Sequence, residues 1–230
     1  MMKFTQEQDI LQRYKSQINI DQIFSHPESL PFQLRIYERN EVILQEGDTL
    51  DGLYFQVDGR TKVTSSVETG KALLLRFCHP LAVFGDIELM QKVVVQSQVE
   101  AVTQASFLFI NKHTIETELM RDYKFLTELS RHLAYKLQTC TTASRINLLA
   151  SVEERLASYL LTIRLQHDFG KEIQTPHIHE VASLIGTTPR HLNRVIQKLS
   201  DVNMLRKDKK KIVVIDWERL DELSNGLRYE

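Results

Sequence analysis

The sequence predicts an α+β protein in three parts: a β jelly roll over residues 1–111, a long helix over 112–150, and a winged helix-turn-helix over 151–230. Three observations predict it. Between Glu38 and Ile110, short apolar runs alternate with turn residues at a spacing of about ten. From Lys112 to Gln166 no proline or glycine interrupts the chain, and the apolar period becomes helical. Near the end, "EVASLIGTTPRHLNRVIQKL" sets two short helices around a glycine turn.

The strand-like runs are "EVILQEGD", "GLYFQVDGRTKVTSS", "KALLLRFCHP", "VVVQSQVEAVT" and "ASFLFIN". Gly47-Asp48, Asp51-Gly52, Asp58-Gly59, Thr69-Gly70 and Pro80 punctuate them. Many short strands at this spacing build an antiparallel barrel or double-sheet jelly roll. In "GLYFQVDGRTKV", alternation sends Leu53, Phe55 and Val57 to one face and Tyr54 and Gln56 to the other.

In the helical stretch, Leu119, Leu126, Leu133 and Cys140 recur every seven residues, and Tyr123, Ser130, Leu137 and Ser144 follow four after each. That is an a/d seam, apolar at first and small or polar later. A seam needs a facing surface, either the chain's own barrel or a second helix. Its length favours a homodimer through a parallel helix pair. "SVEERLASYLL" then starts another helix, with Ser151 and Glu154 spaced as a capping box and Leu156, Tyr159, Leu160 and Ile163 as its apolar face.

After the loop "QHDFGKEIQTPHIH", Glu180–Ile185 reads as one short helix ended by Gly186. Thr188 can cap a second, with Pro189 at its first position. Ala182 is small where the two helices cross, and Leu192 and Val195 lock them together. Met204-Leu205-Arg206, the turn "KDKK" and "KIVVI" form a hairpin wing, and Asp216 caps a closing helix carrying Leu220 and Leu223.

On the second helix, Leu192, Val195, Ile196 and Leu199 share one face, while Arg190, His191, Arg194 and Lys198 share the other. From Arg190 to Lys211 there are eight Lys/Arg against two aspartates. Arginines near the start of such a helix can reach guanine O6 and N7 in the major groove. Lys198 and the wing lysines Lys207, Lys209, Lys210 and Lys211 suit phosphate, setting affinity rather than sequence. Thr188 and Asn193 complete the DNA-facing set.

Composition narrows the rest. A net charge of −1 argues against a uniformly basic coat but not against a local basic patch. Cys78 and Cys140 are the two cysteines and form no C-x-x-C motif, so a zinc ribbon, a cysteine-held iron–sulfur cluster and a disulfide framework are not expected. A reducing compartment is the default. No apolar run approaches the ~18–20 residues that span a bilayer, and "MMKFTQEQDILQRYKSQ" is no secretion signal. A cytoplasmic protein without membrane contact is expected. An enzyme of the metal-dependent cupin type, also a jelly roll, needs two or three barrel histidines with a carboxylate. His79 is the only histidine between Glu38 and Ile110. His177 and His179 form an H-x-H pair with no partner spacing. No catalytic residue, metal or cofactor is therefore expected.

The order of parts resembles the Crp/Fnr family of bacterial transcription regulators. The resemblance runs roughly from Asp21 to Ile215 and is carried by "VILQEGDTLDGLYFQVDGRTKV", "FGDIELM", "SVEERLASYLL" and "VASLIGTTPRHLNRVIQKLSDVNML". "FGDIELM" with "TPRHLNRVI" looks most like the YeiL-type subgroup. The resemblance implies a cyclic-nucleotide-binding-like sensor barrel and a homodimer on a two-fold double-stranded DNA operator. It also implies contact with RNA polymerase and DNA domains set by ligand or redox state. It names no particular small-molecule effector.

Departures from the family pattern sharpen this. In the cyclic-AMP members, "FGE" opens a phosphate cassette that ends in Arg-Ser or Arg-Thr. Here those positions read Asp86 and Gln96-Ser97. Gln96 has no charge to neutralise a phosphate. Losing such a charge-assisted pair costs on the order of 2–5 kcal/mol, or ~30-fold or more in affinity. Cyclic AMP binding in the family manner is not expected. The effector pocket implied by the resemblance comprises Gly85, Asp86, Ile87, Glu88, Gln96 and Ser97, with Cys140 and Thr141 from the dimer helix. Cys140 falls where cyclic-AMP members face the base, and it reads either as a redox centre across the seam or as a small buried apolar residue. Cys78 reads as a core or loop residue. On the recognition helix, Pro189, Arg190 and Arg194 replace an Arg-Glu-x-x-x-Arg pattern, so a TGTGA-type half-site is not assigned. An alternative keeps the DNA binding and makes the barrel a ligand-independent scaffold.

Overall fold

The computed structural model describes residues 2–67, 70, 72–208 and 211–229. They fall into two compact units, Met1–Ala72 with Cys78–Tyr135, and Leu73–Phe77 with Lys136–Glu230.

The chain opens with α1 (Met2–Gln17) and the single turn α2 (Ile20–Ile23). Among the described residues eight strands follow: β1 (Gln33–Tyr37), β2 (Val42–Leu44), β3 (Gly52–Asp58), β4 (Thr61–Ser66), β5 (Ala72–Cys78), β6 (Val83–Phe84), β7 (Gln98–Ala101) and β8 (Ala105–Asn111). The short helix α3 (Asp86–Gln91) lies between β6 and β7. Two four-stranded sheets result, ordered β1-β8-β3-β6 and β2-β7-β4-β5, with antiparallel registers such as Tyr54↔Phe109 and Lys62↔Glu100. This is the predicted double-sheet jelly roll.

The alternation predicted for β3 does not become an exposed face, because every residue from Gly52 to Val57 is buried. Tyr54 and Gln56 do find polar partners there, as buried polar groups must. The Tyr54 hydroxyl donates to Asp51 Oδ1 at 2.9 Å, and the Arg35 guanidinium lies 3.3 Å from the Phe109 ring centroid. Gln56 donates to the Gly59 carbonyl at 2.9 Å and accepts from the Thr61 hydroxyl at 3.0 Å.

The first core gathers around Phe24. Its ring sits 5.6 Å from Phe32, 5.7 Å from Phe55 and 5.8 Å from Phe125, the last stacked. Each such pair adds about 0.5–1.5 kcal/mol beyond the area it buries. Cys78 is buried in the same core.

The continuous helix predicted from Lys112 is broken. α4 (Lys112–Thr117) and a 3-10 turn (Leu119–Arg121) precede α5 (Tyr123–Leu149). Asp122 is the reason. Its extended backbone stops the turn, and its carboxylate accepts from Lys124 N at 2.9 Å, from Ser25 N at 2.7 Å and from the Ser25 hydroxyl at 2.8 Å. Leu119 therefore stands outside α5 and is buried with Phe125 and Leu129, which corrects its placement on the seam.

α6 (Val152–Arg164) begins with the predicted capping box: Ser151 N donates to Glu154 Oε2 at 2.6 Å and Glu154 N to Ser151 Oγ at 3.3 Å. The segment predicted as a loop contains α7 (Asp168–Ile173), because Phe169 and Ile173 bury apolar surface there. α8 (Ile178–Leu184), α9 (Pro189–Asp201), the hairpin β9 (Leu205–Asp208)–β10 (Lys211–Val214) and α10 (Trp217–Leu223) complete the second unit.

Candidate nucleic-acid interface and effector cassette

α8 and α9 form the helix-turn-helix. α8 starts at Ile178, earlier than Glu180, and Gly186 takes φ +64° in the turn. Left-handed backbone is cheap only for glycine. Thr188 accepts from His191 N at 3.2 Å, capping α9, and Pro189 fills its first turn where no amide donor is missed. Leu192, Val195, Ile196 and Leu199 are buried. Thr188, Arg190, Arg194 and Lys198 are exposed, with His191 and Asn193 half-buried. Burial of one face thus forces the basic residues onto the other.

Two lysines of the basic set already have side-chain partners. Lys198 Nζ lies 3.1 Å from Glu153 Oε1. Hydrogen bonding to its own backbone amide, helped by Lys198, keeps the Glu153 carboxyl below the usual range even though burial opposes it. Lys207 Nζ donates to Asn193 Oδ1 at 2.9 Å, tying wing to helix. In the wing, Lys207 pairs with Ile212 and Asp208 with Lys211, and Arg206, Lys207 and Lys211 are exposed. Lys209 and Lys210 lie outside the described residues.

The turn of this motif is held by residues without a sequence signature. The last carbonyls of a helix lack intrahelical donors. Here Asn147 Nδ2 reaches Leu184 O at 3.2 Å, and Arg155 Nη1 reaches Ile185 O and Gly186 O, each at 3.1 Å. Arg155 Nε also donates to Ala150 O at 2.8 Å, where α5 gives way to α6. Asn147, Arg155 and Tyr229 are isolated polar residues in helical or terminal sequence, and only their tertiary contacts reveal them.

In the first unit, Gly85 stands before α3 with φ +89°, and a Cβ there would come 2.8 Å from the Gly52 carbonyl. Asp86 and Glu88 are buried, whereas Ile87 is exposed. Glu88 Oε1 accepts the backbone N–H of Gln96 at 3.0 Å. The Gln96 side chain turns back, donating to Val94 O at 2.8 Å, and is exposed. Ser97 is half-buried. The fold thus brings Gly85, Asp86, Glu88 and Gln96 together. Cys140 and Thr141 stand on α5 in the second unit; Thr141 is exposed, and so is Cys140 as a free thiol.

Along α5, Leu126 and Leu133 pack partly against the first core. Tyr123 is 70% exposed and Leu137 68% exposed. Phe125 and Leu129 turn into the core, so one helix serves two faces.

The His177 and His179 rings lie 5.6 Å apart. Among the described residues no group of three or more His, Cys, Asp or Glu is placed to hold a metal ion. No helix among them is long and apolar enough to cross a membrane.

Two family models match the chain: a cyclic nucleotide-binding domain over residues 34–122 and a Crp-like helix-turn-helix domain over residues 154–223. The chain is 25% identical over 197 residues to the cyclic AMP receptor protein of Thermus thermophilus, covering 85% of this chain and 90% of that one. It is also 25% identical over 186 residues to the cAMP-activated global transcriptional regulator CRP of Salmonella typhimurium, covering 77% and 87%. Among solved structures, a CRP/FNR-family transcriptional regulator from Thermus thermophilus aligns at TM-score 0.66 and 22% identity, over 85% of this chain and 100% of that one. The c-di-GMP-responsive global regulator CLP of Xanthomonas campestris aligns at TM-score 0.68 and 18% identity, over 86% and 98%. These structures share the fold.

Proposed function

Because the chain belongs to the Crp/Fnr family of transcriptional regulators, we propose that it acts as a homodimer that binds a two-fold DNA operator. The observation that carries this reading is α9, with its apolar face buried and Arg190 and Arg194 exposed near its capped start. Arg190 and Arg194 read guanine edges, and Thr188, His191 and Asn193 border them. Lys198 and Lys207 exchange Glu153 and Asn193 for phosphate, joined by Lys209, Lys210 and Lys211. The seam of α5 from Tyr123 through Leu137 to Ser144 receives the same seam of a second copy. The protein is cytoplasmic, is not an enzyme, and meets RNA polymerase as its family resemblance implies. Within the family it sits in the YeiL-type subgroup, on the strength of "FGDIELM" and "TPRHLNRVI".

Relatives are named for cyclic AMP, but in this reading the barrel does not take that ligand in their manner. Gln96 supplies no positive charge, and its amide group is turned onto Val94 O. Cys140, exposed on α5, is the redox candidate.

The test is operator selection from randomised duplexes, together with sedimentation of the free protein. Enriched two-fold sequences and a dimer are expected. A monomer, or a pool that never enriches, contradicts the reading.

A further inference from the structure

The cassette already holds an anion of its own. Glu88 Oε1 sits 3.0 Å from the Gln96 backbone nitrogen, and Glu88 is only 9% exposed. Gln96-Ser97 ends the stretch whose resemblance is to a phosphate cassette, so the Gln96 N–H is one of the donors that stretch has to offer. We propose that Glu88 is a built-in replacement for a ligand anion: its carboxylate occupies this donor and makes the cassette select against phosphate-bearing ligands.

The burial of Glu88 supports this. An arriving phosphodiester would meet its charge in a poorly screened place and would have to displace an existing charge-assisted hydrogen bond. The absence of an arginine at position 96 is then only half of the departure. An arginine restored there would pair with Glu88 before it could serve a ligand.

This rests on the reading that the barrel does not take cyclic AMP in the family manner, and it adds a distinct expectation. Four full-length proteins separate the two: wild type, Gln96→Arg, Gln96→Arg with Glu88→Ala, and Gln96→Arg with Glu88→Gln. Each is titrated with cyclic AMP by calorimetry after its fold is checked by circular dichroism. The Gln96→Arg protein should gain little. Removing Glu88 in that background should tighten binding about tenfold or more, the scale of one close charge pair. Glu88→Gln keeps an acceptor for the Gln96 N–H but loses the charge, and it should fall between. Equal affinity with and without Glu88 in a folded protein overturns the proposal, and so does no binding by either double variant. Cyclic AMP binding by wild type instead overturns the underlying reading, and the Glu88 variants still decide the residue's role.

Discussion

The phenol of Tyr229 donates to Asn147 Oδ1 at 2.7 Å, fastening the segment after α10 to the last turns of α5. The Tyr229 main-chain N–H adds a bond to Thr162 Oγ1 at 3.0 Å, and Thr162 is fully buried. Asn147 in turn donates to the Leu184 carbonyl where α8 ends. A chain of three residues therefore sets the helix-turn-helix against the junction of α5 and α6. Burial raises the Tyr229 phenol pKa further above its ordinary value, so the phenol stays protonated and donating well into the alkaline range.

Tyr229→Phe removes this donor and leaves a half-buried amide oxygen short of a partner. The expected cost is about 1–3 kcal/mol of stability in the second unit. Urea unfolding of the two proteins, followed by circular dichroism, measures it. Tyr229→Ala should cost more, because it also empties packed volume.

Asp122 gives the first unit a pH dependence. Burial alone would raise its pKa, but bonds from Ser25 N, the Ser25 hydroxyl, Lys124 N and Phe125 N outweigh this and lower it. The folded pKa therefore lies below the unfolded one. The stability this group contributes is complete above the unfolded value of about 4 and is lost as pH falls through the folded value. Asp122→Ala should cost about 0.5–2 kcal/mol at pH 7, as lost helix caps do. It should also make the melting temperature less steep between about pH 5 and pH 2. An unchanged acid profile would remove Asp122 from this role.

Leu137 tests the α5 seam. It is 68% exposed, so a charge there should not disturb the fold of its own chain. In a paired helix the same charge is buried without a partner, which costs several kcal/mol. Leu137→Asp should shift sedimentation from dimer to monomer with the circular dichroism spectrum kept. A persistent dimer places the interface elsewhere.

The parts of this protein were legible where local chemistry dictates structure. Ser151 with Glu154 and Thr188 with Pro189 carry their caps in short sequence, and both form. The two-sheet jelly roll follows from turn spacing and β-rich runs. The start of α5 was not legible. A heptad pattern is blind to Asp122, which caps Lys124 N and Phe125 N locally and takes further bonds from Ser25, far away in sequence. The same blindness put Leu119 on the seam instead of in the core. Tyr54 and Gln56 alternate as expected, and Gln56 is met by the local Gly59 turn, but the Arg35 that covers Tyr54 is tertiary. In the cassette, sequence marks the missing arginine but cannot show that Glu88 folds onto Gln96 N. Asn147, Arg155 and Tyr229 are single polar residues whose partners come from other elements, so no spacing announces them.

The role of α9 is measured most directly by the affinity of the Arg190→Ala, Arg194→Ala double variant for the operator selected with wild type, by fluorescence anisotropy at fixed salt. Each guanine contact is worth about 1–3 kcal/mol, and a dimer makes each twice. A loss of about a thousandfold or more is expected on the selected operator, with a small change on unrelated DNA and an intact dimer by sedimentation. Unchanged affinity for the operator would contradict the assignment of α9 as the reading helix.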